Sequence, residues 1–385
     1  MAPIPVPFKI QVEEQVLADL RQRLTRIRWP AQAPGTAWQH GTSMPFLREV
    51  MAHWRDNFDW RQWESRINRH SQFLVPMAWG DIHVLVEEGS GDNPTPIILS
   101  HGWPGSFVEL LELVEPLAHP ERFGGSVADA FTLVIPSLPG YGFSPPPTAM
   151  VTPRQTGELW HSLMTEVFGH SRYLVHGGDM GSSVSSWLAL DHPEAVLGLH
   201  LNNAVLQPEW TLAEQPPTAE EQEFLGRFMA SMEGESAYQQ IHGTKPQTLA
   251  YSLADSPVGL AAWILEKFQR WTVGAEDCAL PFDYDHLIAN LMVHWLGDPG
   301  AATWMYRYLL DMSAFTLPPG RRIEVPTGVC LFPNDCAMPP PDSWLRRSLN
   351  LVHCTRAASG GHFPGLECPQ VLIDDLRAFN RLLKA

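Results

Sequence analysis

Apolar side chains recur at Val12, Val16, Leu20, Leu24 and Ile27, the three-to-four spacing of one helical face. Glu13 and Glu14 lie early in this stretch and Arg21, Arg23, Arg26 and Arg28 late, as a helix dipole prefers, and Pro30 ends it. The spacing predicts a helix over 11–28. Residues 29–75 carry Trp29, Trp38, Trp54, Trp60 and Trp63, an aromatic load that needs a surface to cover. This segment reads as an arm packed on the main body. From about residue 80 the pattern turns to strands alternating with helices. Ile82, Val84 and Val86 alternate, 96–99 and 131–135 are short apolar runs, and 107–117 is helical in period. Thr152-Pro153 opens a helix to about Phe168, with Thr as cap and Pro in the first turn. Strands follow near 173–176 and 196–201, with a helical run through 182–190 between them. The alternation stops near Val205, and 206–319 reads as helical, with Trp263, Trp271, Trp295 and Trp304 as a separate aromatic load. Strands resume at 326–332 and 351–355, and an amphipathic helix spans 369–383.

This order predicts an α/β class with a mostly parallel sheet interrupted by a helical insertion. The division expected is an arm at 1–79, a first core part at 80–205, a helical cap at 206–319 and a second core part at 320–385.

Length changes the picture little, since 385 residues suit one large α/β unit with an insertion. The formal net charge of −16 argues against nucleic acid and anionic membrane surfaces as partners. The cysteines, Cys278, Cys330, Cys336, Cys354 and Cys368, are odd in number and form no Cys-x-x-Cys pair, which suits a reduced, cytoplasmic protein. Sixteen histidines include no His-Glu-x-x-His and no tight Cys/His cluster, so no metal is expected. The N-terminus lacks the basic and apolar regions of a signal peptide, and no apolar run approaches the ~18 residues that span a bilayer. Oligomeric state is open, a homodimer included.

The candidate chemistry begins at Gly177-Gly178-Asp179-Met180-Gly181, a Gly-x-nucleophile-x-Gly turn between strand and helix. Taken alone, Asp179 could be a turn residue capping the next helix. Three further elements weigh against that. His101-Gly102-Trp103-Pro104 follows a strand where an α/β hydrolase draws one oxyanion donor; the other comes from the residue after the nucleophile. This nominates the backbone N–H groups of Trp103 and Met180, and leaves His101 a structural role. His362, in Gly360-Gly361-His362-Phe363, lies in a loop after the last strand, where the plan places its base. Asp335 follows the 329–332 strand and completes the order nucleophile, acid, base; Asp342 lies further out and reads as a helix cap.

A carboxylate nucleophile attacks an sp³ carbon that bears a leaving group, and the resulting ester is opened by activated water. Carbon–halogen bonds and epoxides both qualify. A halide leaves as a stable anion, whereas an epoxide oxygen needs a proton, which tyrosine can supply because it stays protonated below its pKa of ~10. Five of the seven tyrosines fall in the insertion: Tyr238, Tyr251, Tyr284, Tyr306 and Tyr308. That favours the epoxide, although tyrosine is also a common packing residue.

On these residues the chain resembles the microsomal-type epoxide hydrolases, a branch with soluble bacterial and fungal members and the insect juvenile hormone epoxide hydrolases. The resemblance covers essentially the whole chain. It rests on the arm (Pro7-Phe8, Leu20-Arg21, Arg28-Trp29-Pro30), on His101–Pro104 and on Gly177–Ser182, where Met180 replaces a frequent Trp. The most specific match is in the insertion, at 244–249, 255–264 and 266–268. The resemblance implies an α/β-hydrolase fold with an N-terminal arm and a helical cap. It implies that Tyr238 and Tyr306 bind the ring oxygen, with Tyr308 a close competitor and Tyr251 structural, and that Asp179, Asp335 and His362 form the triad. Its mammalian members carry an N-terminal membrane anchor, which this chain is expected to lack. The implied reaction turns an apolar epoxide and water into a vicinal diol through an aspartyl ester, without metal or organic cofactor. The alternatives are a haloalkane or haloacid dehalogenase on the same scaffold, and a non-catalytic binding protein of that fold. The aromatic, Met-rich insertion predicts an apolar pocket beneath it.

Overall fold

Nine strands build one sheet: β1 (Val6–Pro7), β2 (Ser71–Met77), β3 (Gly80–Glu87), β4 (Thr95–Ser100), β5 (Phe131–Pro136), β6 (Tyr173–Gly177), β7 (Val196–Leu201), β8 (Ile323–Leu331) and β9 (Leu349–Arg356). Their order is β1-β2-β3-β5-β4-β6-β7-β8-β9. The pairs β1/β2, β2/β3 and β3/β5 are antiparallel, and every pair from β5/β4 to β8/β9 is parallel. The computed structural model describes residues 3–35, 38–204, 206–208, 216–272, 280–311, 314–336 and 338–384. Cys278 lies outside the described residues.

The central strands are buried along nearly their whole length, as parallel strands covered on both faces must be. That is why short apolar runs, rather than alternation, marked them in the sequence. Strands β1 and β2 were not foreseen. β2 combines the consecutive apolar triplet 73–75 with Pro76, and its burial does not alternate cleanly. It lies near the sheet edge, where proline is tolerated.

The arm contributes helices Glu14–Thr25, Met44–Asp56 and Trp60–Ile67, which bury Trp54, Trp60 and Trp63. Each such side chain removes 150–250 Å² from water, roughly 4–6 kcal/mol at ~25 cal/mol/Å². That outweighs the exposed Arg23–Asp255 ion pair that also ties arm to insertion. The arm's helices pack chiefly on helices Pro257–Arg270 and Tyr284–Leu296 of the insertion, with Trp63 edge-on to His286 at 5.0 Å.

The insertion is helical as expected: Ala219–Glu235, Ala237–Thr244, Pro246–Asp255, Pro257–Arg270, Tyr284–Leu296 and a 3-10 turn Ala301–Tyr308. A capping box between Thr218 and Glu221 starts the first of these, and one between Thr152 and Gln155 starts helix Pro153–Ser162. Asp342 differs from expectation. It is the first residue of helix Asp342–Ser348, makes no cap, and takes Arg356 at 2.8 Å instead.

Candidate active site

Parallel strands end at a common edge, and loops leaving that edge carry the chemistry of α/β folds. Here β4 ends at Ser100, β6 at Gly177, β7 at Leu201 and β8 at Leu331. The residues just beyond them, Trp103, Asp179, Asn203 and Asp335, therefore converge although they are far apart in sequence.

Asp179 begins helix Asp179–Asp191 directly after β6 and Gly178. Its φ is +50°, the left-handed region that a non-glycine residue enters at a cost of roughly 1–3 kcal/mol. A Cβ on Gly181 would overlap the carbonyl of Ser100 at the end of β4, so only glycine lets the helix start this close to the sheet. The turn thrusts the carboxylate above the sheet edge, at a helix N-terminus that favours negative charge. A Cβ on Gly102 would overlap the Asp179 carboxyl. That glycine therefore makes room for it beside Trp103, whose backbone N–H donates to Asp179 Oδ1 at 2.9 Å. Met180 follows in the first helical turn, where N–H groups have no helical acceptor.

His362 Nε2 stands 3.5 Å from Asp179 Oδ2, and its Nδ1 donates to Asp335 Oδ1 at 2.6 Å. Asp335 is held in turn by Asn203 Nδ2 at 2.9 Å, and the Ser182 hydroxyl bonds the Asn203 carbonyl. Burial opposes a charge on His362, but the Cys336 sulfur and the carboxylates of Asp335 and Asp179 favour it. The net effect holds the imidazole well above its ordinary 6.5. Burial pushes the Cys336 thiol up to about 12, so at neutral pH it is a neutral thiol. Cys336 Sγ lies 3.4 Å from His362 Nδ1. Asp335, Cys336 and His362 together form a group whose ligand-type atoms lie within 4.8 Å of one another.

Facing Asp179 is an aromatic box. Tyr238, from helix Ala237–Thr244, stacks on Trp103 with ring centres 5.2 Å apart. Tyr306, from the 3-10 turn, stands edge-on to Trp103 at 5.8 Å and to Tyr238 at 5.7 Å. Trp271 meets His362 at 4.7 Å. Burial, then nearby groups including Asp179, pushes both tyrosine hydroxyls upward, so they stay protonated. Tyr238 OH accepts from Gln239 Nε2 at 3.1 Å. Tyr306 OH is buried without a well-formed hydrogen bond, and so is Tyr141 OH. Of the other tyrosines, Tyr308 donates to the Met150 carbonyl at 3.0 Å, Tyr284 to Glu49 at 3.2 Å, and Tyr251 is 71 % exposed. Hence Tyr238 and Tyr306 are the pair brought onto Trp103.

His101 is wholly buried, and burial lowers it to about 4. Its Nε2 accepts from the Leu138 N–H at 3.2 Å, a structural contact. Asn203, Trp271, His242, Tyr141 and Glu109 were not foreseen. Only Asn203, directly past a strand, carried a positional signal.

A cavity of about 980 Å³ opens between the insertion and the loop after β8, against Tyr238, Trp271 and Asp335. A second, of about 880 Å³, lies between arm and insertion on another side of Tyr238. The first is not the apolar pocket expected, since Glu220, Glu223, Arg227 and Arg270 also line it. Neither reaches Asp179. A cavity that Asp179 does line, with Glu109 and His362, measures about 20 Å³. No described helix is long and apolar enough to cross a membrane.

Comparison with known proteins places these features. Residues 5–110 match the family described as epoxide hydrolase N terminus, and 95–242 match the alpha/beta hydrolase fold. Epoxide hydrolase 1 of Oryctolagus cuniculus is 32 % identical over 406 aligned residues, covering 98 % of this chain and 89 % of that protein. The solved epoxide hydrolase of Aspergillus niger superposes with a TM-score of 0.84 at 30 % identity, over 98 % of this chain and 96 % of that one. The juvenile hormone epoxide hydrolase of Bombyx mori superposes with a TM-score of 0.87 at 25 % identity, over 99 % and 95 %.

Proposed function

The chain belongs to the epoxide hydrolase family, and from that premise we propose that it opens an apolar epoxide in two steps through an ester on Asp179. The observation that carries the reading is one carboxylate in contact with both an oxyanion donor and a base: Trp103 N–H on Oδ1 at 2.9 Å and His362 Nε2 at 3.5 Å from Oδ2. In the first step Oδ2 attacks a ring carbon. The carbon–oxygen bond of the ring breaks, and the alkoxide takes a proton from Tyr238 or Tyr306. The tyrosine recovers its proton from His362. That transfer is favoured because alkylation removes the Asp179 charge that helped hold the proton on the imidazole. Neutral His362, oriented by Asp335, then deprotonates water, which attacks Asp179 Cγ. The oxyanion collects on Oδ1 beneath the Trp103 N–H, with Met180 N–H as the second donor. Breaking the ester releases the diol and restores the starting pair of Asp179 carboxylate and protonated His362.

The aromatic faces of Trp103, Tyr238 and Trp271 favour an apolar or aryl substituent on the ring. In this reading residues 206–319 act as the cap that delivers the tyrosines, and 1–79 as the arm that buttresses it.

A panel of aliphatic, styrene-type and terpene epoxides tests the proposal, assayed for diol alongside halide release from haloalkanes. Diol from at least one epoxide, lost in Asp179→Asn, is expected. Halide release with no diol from any epoxide contradicts it and assigns a dehalogenase.

A further inference from the structure

We propose that Lys267 is a positioning residue for ring opening: its ammonium, set against the Tyr238 ring, makes Tyr238 rather than Tyr306 the phenol that gives its proton to the epoxide oxygen. The inference rests on the two-step scheme above and settles a choice that scheme leaves open. Lysine usually runs its stem along a surface and keeps its ammonium in water. Lys267, on helix Pro257–Arg270, does not: its side chain is 8 % exposed. Nζ lies 4.7 Å from the centre of the Tyr238 ring and 5.9 Å from that of Trp271. It pairs with Glu266 Oε2 at 2.6 Å and reaches Glu235 Oε2 at 3.6 Å. An ion pair that cancelled itself would leave the ring without a field. This one is lopsided, because Glu266 and Glu235 are 25 % and 29 % exposed and border the cavity between arm and insertion. Water screens the carboxylates more than the buried ammonium. The ammonium's field is felt inside the aromatic box. After burial, it is the charge that lowers His242, edge-on to Tyr238 at 5.6 Å, to about 3.

A cation beside a neutral aromatic ring is attracted only by the ring's quadrupole. As Tyr238 loses its proton, negative charge spreads from the oxygen into the ring, and the attraction becomes one between opposite charges. The contact is therefore stronger in the transition state than in the resting enzyme, the condition for speeding a step. Among the described residues no lysine or arginine stands over the Tyr306 ring. Gln239 Nε2 donates to the Tyr238 oxygen at 3.1 Å, a second contact that strengthens as that oxygen turns anionic. Burial raises both phenols. Against it, the contacts with Gln239 and Tyr306 pull Tyr238 down, while the same contact with Tyr238 pushes Tyr306 higher still.

In the step itself Asp179 Oδ2 bonds to the ring carbon, the carbon–oxygen bond breaks, and the freed oxygen takes the Tyr238 proton. Tyr306 keeps its own proton and gives the same oxygen a hydrogen bond. The Tyr238 phenolate, held against Lys267, is reprotonated from His362. Lys267 forms no covalent bond and transfers no proton.

Quenched-flow with styrene oxide, reading the ester by intact-protein mass, tests this in wild type, Lys267→Met, Lys267→Arg and Glu266→Gln. The Met substitution is repeated on Tyr238→Phe and on Tyr306→Phe. Losing the cation should slow ester formation about 10- to 100-fold and leave ester decay within about 2-fold of wild type. Arg keeps the charge and should recover formation to within about 5-fold. On Tyr306→Phe the Met substitution should cost its full factor again. On Tyr238→Phe it should cost less than about 2-fold, because the proton it assists is gone. Equal losses in the two backgrounds, or a slowing of formation and decay alike that Arg does not restore, mean a structural ion pair and overturn the inference. So does ester formation at the wild-type rate in Lys267→Met. Glu266→Gln keeps the ammonium and decides the question should Lys267→Met not fold. Formation within about 2-fold of wild type, or faster, is expected there, and a slower rate overturns the inference. Absence of ester in every variant, His362→Gln included, instead overturns the two-step scheme itself.

Discussion

Replacing Tyr306 with Phe should separate stability from chemistry. The ring would keep its edge-on contacts with Trp103, Tyr238 and His242, at 5.8, 5.7 and 4.8 Å. Only the hydroxyl is lost, and it is buried without a well-formed hydrogen bond. Burying an unpaired polar group costs about 1–3 kcal/mol, and its removal strands no partner, because Tyr238 OH already has Gln239. The variant should thus be as stable as wild type or more stable, by up to about 1 kcal/mol. A chain of this length has an unfolding entropy of about 0.8 kcal/mol/K, so that gain raises Tm by about 1 °C. Against this, losing one preorganised donor to a developing alkoxide costs ~3–4 kcal/mol, or 10²- to 10³-fold. The loss should fall on ester formation, leaving ester decay near wild type. Calorimetry gives the first quantity and rapid-quench kinetics the second. A variant that melts several degrees lower while forming ester at the wild-type rate refutes the reasoning and makes the hydroxyl structural.

Asp335→Asn removes the charge that orients His362 and should lower the rate of ester decay about 10³- to 10⁴-fold, with the ester persisting on intact-mass spectra. Gly102→Ala places a methyl where the Asp179 carboxyl lies and should lower kcat at least about 100-fold. An unchanged burst amplitude and rate would contradict that clash. Asp375 accepts from His200 Nε2 at 2.8 Å, His353 Nε2 at 2.8 Å and Thr355 Oγ1 at 2.5 Å. Asp375→Ala should cost about 3–5 kcal/mol in urea titrations at pH 7, because it takes the acceptor from the buried His200 and from the half-buried His353 and Thr355. Burial works to raise the Asp375 carboxyl, but His200, Thr355 and His353 more than offset it and hold it below the ordinary 3.8. Its contribution is therefore complete above about pH 4 and fades as pH falls through the lower folded value. The gap between wild type and variant should stay level from pH 7 to 5 and narrow below pH 4; a gap that narrows already between pH 7 and 5 contradicts this assignment.

Much of this was legible in the sequence because local signals carried it. Strand-turn-helix punctuation around Asp179, Thr152-Pro153 at a helix start, and glycines framing His362 each follow from short-range backbone requirements. The edge strands β1 and β2 were not legible. One is two residues long and the other contains Pro76, so neither displays a period. Asn203, Trp271 and His242 are brought to the site by convergence of distant loops, which no spacing along the chain encodes. Glu109 was hidden for another reason: a glutamate in a first helical turn has an ordinary explanation, and only Gly105 and Gly365, 4 residues before and 256 after it, reveal that it turns inward. The polar lining of the large cavity was likewise invisible, since aromatic content reports what an insertion buries in its own core as much as what it offers a ligand.

The central claim is that Asp179 itself becomes esterified, and a single turnover in ¹⁸O-labelled water tests it most directly. With enzyme in excess over epoxide, the first diol should carry an unlabelled oxygen from the Asp179 carboxyl, while the label enters the protein. Label found in the first diol, with none in the protein, would mean that water attacks the ring directly and that no ester forms on Asp179.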